Sequence, residues 1–343
     1  MKVIYHDEQA RHYPRHFLSS GGQQRNPEVP ERIERLLAGA RAAGLQQIAP
    51  KDYGLGPAAA VHTPEYLQFL ANIYTRWQRI PDASAEVVPN IHPERRDFAY
   101  PASAVGQAGY HMADTSCPIS AETWTSALWS ANTAVHAAEL VLAGEAAAYG
   151  LSRPPGHHAT ADLAGGFCYL NNSGIAAQHL RRAHDRVAII DVDLHHGNGT
   201  QSMFYRRADI LTVSLHADPV RFYPFFWGHA NERGEGEGLG YNFNLPLPRG
   251  SKDDAFLSAL DAALLRVRAF APTAIVVALG LDAFEGDPFG GLGVSTDGFA
   301  RIGEKLGDLK LPTAIIQEGG YLCDALSDNL TSFLTGFGTT HTI

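Results

Sequence analysis

The sequence predicts an α/β fold, a mainly parallel sheet covered by helices on both faces. Three observations carry this. Short apolar runs such as Val187–Ile190, Ala274–Leu279 and Pro312–Gln317 alternate with amphipathic helical stretches. These runs lack polar alternation, the mark of strands buried on both faces. Four strand ends carry reactive side chains: His157-His158, Asp191/Asp193/His195, Asp282 and Tyr321. Parallel strands share one carboxyl edge, where ligands of open α/β sheets bind. No repeat, low-complexity tract or linker breaks the chain, so residues 1–343 read as one domain.

Taken in order, Val3–Tyr5 reads as a first strand and His6–Arg25 as a polar loop. Asn26–Arg32 opens a helix with Pro30 in its first turn, and Ile33, Leu36, Leu37 and Ala40 share one face. Asp52–Gly56 is a turn. Thr63-Pro64-Glu65 caps a helix reaching about Arg79, with Tyr66, Phe69, Leu70 and Ile73 inward. Residues 80–120 are Pro-rich and aperiodic and read as a loop insertion holding Glu86, Asp97 and Asp114; such length in a compact chain marks function or an interface. Glu122–Leu142 is an Ala-rich helix, and Ala146–Ser152 a strand leading into Arg153-Pro-Pro-Gly-His157-His158. The helix Asn172–Ala183 precedes the central strand, and Ile210–His216 is the next strand. Asp218–Gly240 is irregular and aromatic. Asp253–Phe270 and Asp324–Leu334 are helices flanking the last two core strands.

Hydrophobic residues make up 45% and charged residues 18%, an ordinary globular balance. The net charge of −9 argues against a nucleic-acid partner and suits a cationic substrate. Cys117, Cys168 and Cys323 form no C-x-x-C pair and point to a reducing compartment. The start of the chain turns charged too soon for a signal peptide, and no apolar run approaches the roughly 20 residues of a membrane span. The expectation is a cytoplasmic protein with no membrane partner.

The stretch Asp191-Val-Asp193-Leu-His195-His196-Gly-Asn198 carries the chemistry. Alternation along a strand turns Asp193 and His195 the same way, giving most of an Asp/His metal site. The alternative is a strand end whose polar groups cap loop amides. Asp282, after Gly280-Leu281, supplies a third ligand, and an Asp2His set suits Zn²⁺ or Fe²⁺ with open positions. His157 and His158, after a stiff Pro-Pro-Gly turn, read as an acid/base pair, with Asp191 and Asn198 as orienting partners. Tyr321, after Gly319-Gly320, reads either as an oxyanion donor or as a packing aromatic.

Arg153-Pro-Pro-Gly-His-His158, Gly165-Gly-Phe-Cys-Tyr-Leu-Asn-Asn172, Asp191-Val-Asp-Leu-His-His-Gly-Asn-Gly199 and Glu318-Gly-Gly-Tyr321 together resemble the zinc-dependent deacetylases. That family includes histone deacetylases, acetoin-utilisation proteins and bacterial acetylpolyamine amidohydrolases, and the last branch looks nearest. The resemblance runs from Asn26 to Tyr321. It implies an arginase/deacetylase fold with an eight-stranded parallel sheet, and Zn²⁺ on Asp193, His195 and Asp282. It implies His158 as general base and acid, with His157 leaning on Asp191, Asn198 orienting His158, and Tyr321 holding the oxyanion. It also implies Gly166, Phe167 and Tyr223 along a substrate channel, and K⁺ on main-chain oxygens including that of Leu215, with the side chains of Asp191 and Ser214. The expected substrate is a small acetylated amine. The expected assembly is a homodimer paired through the insertion, with Asp114 or Glu86 reaching a distant ammonium. The alternatives are a protein acetyl-lysine deacetylase and a non-catalytic metal- or ligand-binding module.

Overall fold

The computed structural model describes residues 1–97 and 99–341; Phe98, within the expected insertion, and the last two residues lie outside the described residues. In chain order the strands are β1 (Lys2–Ile4), β2 (His16–Ser19), β3 (Gly22–Arg25), β4 (Gln46–Ile48), β5 (Ala147–Gly150), β6 (Val187–Asp191), β7 (Ile210–Ala217), β8 (Asn242–Leu247), β9 (Ala274–Leu279) and β10 (Thr313–Gln317). Eight form one sheet in the order β4-β1-β5-β10-β9-β6-β7-β8, every pair parallel, while β2 and β3 make a separate antiparallel hairpin. The eight strands match the expected number.

All residues of β5, β6, β7, β9 and β10 are buried, which is why their sequences show no polar alternation. Ile190, Val213, Val277 and Ile315 face a core shared with the helices Glu31–Ala42, Asp253–Phe270, Thr296–Gly307 and Leu326–Thr340. Their neighbours Ile189, Val276 and Ile316 face the opposite core, against Ala134, Ala137, Ala138 and Val141 of the helix Thr123–Leu142. Register pairs Asp191 with Ala278 and Ser214, Leu279 with Gln317, and Ile316 with Gly150. The segments that follow β5, β6, β9 and β10 therefore leave the sheet along the same edge.

The structure corrects several local expectations. His6–Arg25 is not only a loop: it holds the 3₁₀ turn Asp7–Arg11 and the β2–β3 hairpin, whose mostly exposed residues give no burial pattern to read. The stretch 80–120 is not all loop: Ala104–His111 is a helix, capped by Ser103 Oγ accepting from Gly106 N at 3.0 Å. Its apolar face is only Ala104, Val105 and Ala108, too small and too short to stand out in sequence. β4 has three residues and β8 contains Pro246, both at sheet edges where strand signals weaken.

Just ahead of β7, Asp209 accepts from Arg207 Nη2 at 2.6 Å and Arg181 Nε at 2.7 Å. The bond from Arg207, with Arg181 behind it, holds the Asp209 carboxyl down to about 2. A folded pKa below the unfolded value of roughly 3.9 stabilises the fold above pH 4, and that contribution is lost as pH falls through about 2. Because the pair is only half-buried and screened, Asp209→Asn should cost about 1 kcal/mol at neutral pH. Urea unfolding at pH 7 and pH 2 should show that difference only at the higher pH.

Candidate active site

The end of β6 places the first residues. Asp191 accepts from Asp193 N through Oδ1 (3.0 Å) and pairs with His157 Nδ1 through Oδ2 (2.9 Å). Asp193 Oδ1 accepts from His195 N at 2.8 Å, and its Oδ2 accepts from Gly319 N at 2.8 Å. Asp282 Oδ1 accepts from Leu194 N at 3.0 Å. His195 Nδ1 lies 3.1 Å from Asp282 Oδ2 and 3.3 Å from Asp193 Oδ1. One donor atom from each of Asp193, His195 and Asp282 lies within 4.8 Å of the others, and all three side chains are buried. Gly280 and Gly319 permit this crowding: a Cβ on Gly280 would collide with the Asp193 carboxylate, and one on Gly319 with the carboxylates of both Asp193 and Asp282.

This donor set fits a divalent cation. Asp193 and Asp282 are fully buried, and among the described residues neither pairs with a lysine or arginine. Burial, then the nearby Asp193 charge, raises the Asp282 carboxyl above its ordinary value. Two buried carboxylates share one imidazole, and the cation beside them, His157, stands 3.7 Å from Asp193 alone; such N/O donors fit Zn²⁺, which would supply the further positive charge. A second set, His157, Cys168 and Glu318, has a similar spacing. There Glu318 is already committed, accepting from Gly156 N (2.6 Å), His157 N (3.0 Å) and Ser173 Oγ (2.6 Å).

The histidine pair divides into two states. Burial disfavours a charged His157, but Asp193 and then Asp191 outweigh it and carry its pKa up to about 10. Burial, then the charges of His157 and His195, pushes His158 well below its ordinary value. The His158 ring centroid lies 4.0 Å from that of His157, and its Nδ1 donates to Asn198 Oδ1 at 2.7 Å. A neutral His158 with its proton on Nδ1 presents a bare Nε2.

These residues sit at the base of a cavity of about 690 Å³, lined also by Gly166, Phe167, Tyr223 and Tyr321. The Tyr321 ring lies 6.0 Å from Phe167 and 4.8 Å from Phe289, with the Arg32 guanidinium 4.9 Å from its centroid. Burial keeps the Tyr321 hydroxyl protonated. Phe222 stacks on His195 at 5.2 Å, and the Tyr223 ring stands perpendicular to His158 at 4.9 Å. The structure thus brings His157, His158, Asp191, Asp193, His195, Asn198, Asp282 and Tyr321 to one place.

Two acids behave otherwise than expected. Asp114 lines the cavity, but its Oδ2 accepts from Tyr223 OH (2.6 Å) and Gly166 N (3.2 Å), and its Oδ1 from Ser116 N (2.7 Å). It braces the wall rather than offering a free carboxylate. Glu86 accepts from Arg15 N at 2.6 Å and lies outside the cavity lining, tying the insertion to the β2–β3 hairpin. Ser214 Oγ, beside Asp191 in register, bonds His216 Nδ1 at 2.8 Å, and Leu215 is buried.

Sequence reasoning missed the supports. Phe222 and Phe289 pack against His195, and Asp287 Oδ2 accepts from Tyr321 N at 3.0 Å. Glu28 joins Arg32 (2.7 Å) and Arg153 (2.8 Å) in a buried triad. Arg32 donates onward to the carbonyls of Gly320 (2.5 Å) and Glu318 (2.8 Å). Glu28 and Arg32 stand four apart at a helix start, a spacing that in sequence looks like a solvated pair.

Residues 26–337 match the histone deacetylase domain, and the chain belongs to that family: it is a hydrolytic deacetylase acting on amides. Among its relatives is an acetylpolyamine amidohydrolase of Burkholderia pseudomallei (strain 1710b), 49% identical over 339 residues and covering 98% of this chain and 99% of the relative. Acetylpolyamine amidohydrolase 1 of Pseudomonas aeruginosa is 42% identical, with 98% and 99% covered. A crystal structure of the Burkholderia pseudomallei acetylpolyamine aminohydrolase superposes with a TM-score of 0.97 over 99% of both chains. The HDA15 HD domain superposes at 0.79 with 27% identity, covering 98% of this chain and 89% of that one. Among the described residues no helix is long and apolar enough to cross a membrane.

Proposed function

We propose that this chain removes acetyl groups from N-acetylated polyamines and related small cationic amides. The observation that carries the metal-dependent reading is the convergence of Asp193, His195 and Asp282 beneath the cavity that also holds His158 and Tyr321. The polyamine class follows from relatives of that name matching nearly end to end.

Asp193, His195 and Asp282 would hold Zn²⁺, with Fe²⁺ a second candidate for the same donors. When bound, the ion supplies Lewis acidity to the substrate carbonyl and to water. His158 Nε2 takes the proton of the water that adds to the acetamide carbon, while Asn198 holds the opposite ring nitrogen. Tyr321 OH donates to the oxyanion. His157, charged against Asp191 and Asp193, keeps positive charge beside the developing negative charge. The protonated His158 then gives its proton to the amine as the C–N bond breaks, leaving acetate and free amine. Phe167 and Tyr223 flank the methylene stem, and the Gly166 carbonyl lies where it can accept the amide N–H. K⁺ on Asp191, Ser214 and Leu215 remains part of this reading, supported by the Asp191–Ser214 register.

Zinc-loaded protein should release acetate from N-acetylputrescine or N-acetylcadaverine faster than from acetyl-lysine peptides; the reverse preference would favour a protein deacetylase. Tyr321→Phe should lower kcat by about 10²–10³-fold with little change in KM; steady-state kinetics showing an unchanged kcat would assign the ring to packing alone. The exposed Ile91, Phe226 and Trp227 support a homodimer. Sedimentation equilibrium returning a monomer would remove that part of the reading.

A further inference from the structure

The deep part of the cavity is aromatic and suits an acetamide on a methylene stem; its outer part is different. Among the described residues that line it, apart from the histidines, the charged side chains are Asp114, Arg221 and Arg249. Asp114 already accepts three hydrogen bonds, from Tyr223 OH, Gly166 N and Ser116 N. The two arginines are free to receive a ligand. Arg221 is exposed and makes no hydrogen bond or ion pair with any described residue. Arg249 donates Nε and Nη2 to the Gly290 carbonyl at 3.2 and 3.1 Å, which leaves Nη1 for a ligand. Its guanidinium lies 5.8 Å from the centroid of Phe222, the ring that stacks on His195. This fixes Arg249 one aromatic layer above the reacting centre, with Arg221 next to Phe222 in the chain.

We propose that Arg221 and Arg249 receive a carboxylate at the far end of the substrate, so that ω-acetamido acids form a second substrate class beside acetylated amines. The guanidinium fork matches a carboxylate in shape and charge. The inference rests on the amidohydrolase reading above and adds a second kind of tail to the amines of that reading. The reaction is unchanged: water adds, the amide C–N bond breaks, and acetate leaves the free ω-amino acid.

The test uses the zinc-loaded full chain and three probes of matched length: 5-acetamidopentanoate, its primary amide, and N-acetyl-1,5-diaminopentane. At low salt kcat/KM for the acid should exceed that for the neutral amide by about 2- to 5-fold, the range of a solvent-exposed charge pair. The ratio should fall towards one in about 0.5 M NaCl, where screening is strong. It should fall likewise in the Arg221→Gln/Arg249→Gln double variant. Arg221→Gln alone, whose side chain touches no described partner, should move the ratio the same way, and it decides the matter if the double variant is unstable. An acid that reacts no faster than its amide, or a ratio untouched by these substitutions, overturns the proposal even if the diamine is a good substrate. Failure of all three probes to yield acetate with zinc bound would overturn the amidohydrolase reading, and this inference with it.

Discussion

Replacing His158 with alanine is expected to lower kcat by about 10²–10⁴-fold while leaving zinc bound. His158 lies next to the metal-ligand cluster but is not part of it: its Nδ1 is spent on Asn198, and its ring centroid is 5.9 Å from that of His195. Burial and the neighbouring imidazole charges keep it neutral, the state a general base needs. Its proposed contribution is proton transfer, which alanine removes outright. Single-turnover kinetics together with zinc analysis separate the outcomes. Lost zinc would make His158 a ligand, and a nearly unchanged rate with zinc retained would move the base elsewhere.

Glu28→Ala should destabilise the fold by about 3–5 kcal/mol, the usual cost of stripping the counter-charge from a buried pair. Glu28 is fully buried, and Arg32 and Arg153 are almost so. Without the carboxylate, two guanidinium groups face each other in the interior. Arg153 is further held by the carbonyls of Gln9 (2.6 Å) and His12 (2.7 Å), and Arg32 by those of Gly320 and Glu318. The triad therefore ties the N-terminal segment to the loops bearing His157 and Tyr321, and kcat should fall along with stability. Glu28→Gln keeps an acceptor and should lose less of both. Urea denaturation showing a shift below about 1 kcal/mol for Glu28→Ala would mean that water or a rearrangement compensates the arginines.

The centre of the site was legible because its residues close apolar strands whose burial on both faces leaves an unmistakable sequence trace. Asp193 and His195 were singled out by strand alternation, yet β6 ends at Asp191 and both lie in the turn beyond it, where Asp191 and Asp193 each accept from the backbone N–H two residues on; Asp282 stands beyond β9 as read. The supports were not legible, because each depends on contacts between distant parts of the chain. Arg32 reaches Gly320 across 288 positions, and Asp114 reaches Tyr223 across 109. No local pattern encodes such contacts. The acid expected to reach outward, Asp114, turned inward because Tyr223 and the Gly166 amide supply donors that outcompete open solvent. Likewise the β2–β3 hairpin escaped reading because it is mostly exposed, and the helix Ala104–His111 because it is short and its apolar face, Ala104, Val105 and Ala108, is small and interrupted by Gly106 and Gly109.

The central claim is that Asp193, His195 and Asp282 share one ion. It is tested most directly by the zinc retained per chain after exhaustive dialysis, in the native protein and in Asp282→Ala. The prediction is about one zinc in the first and close to none in the second. Equal zinc in both, or none in the native protein under conditions where it turns over substrate, would contradict it.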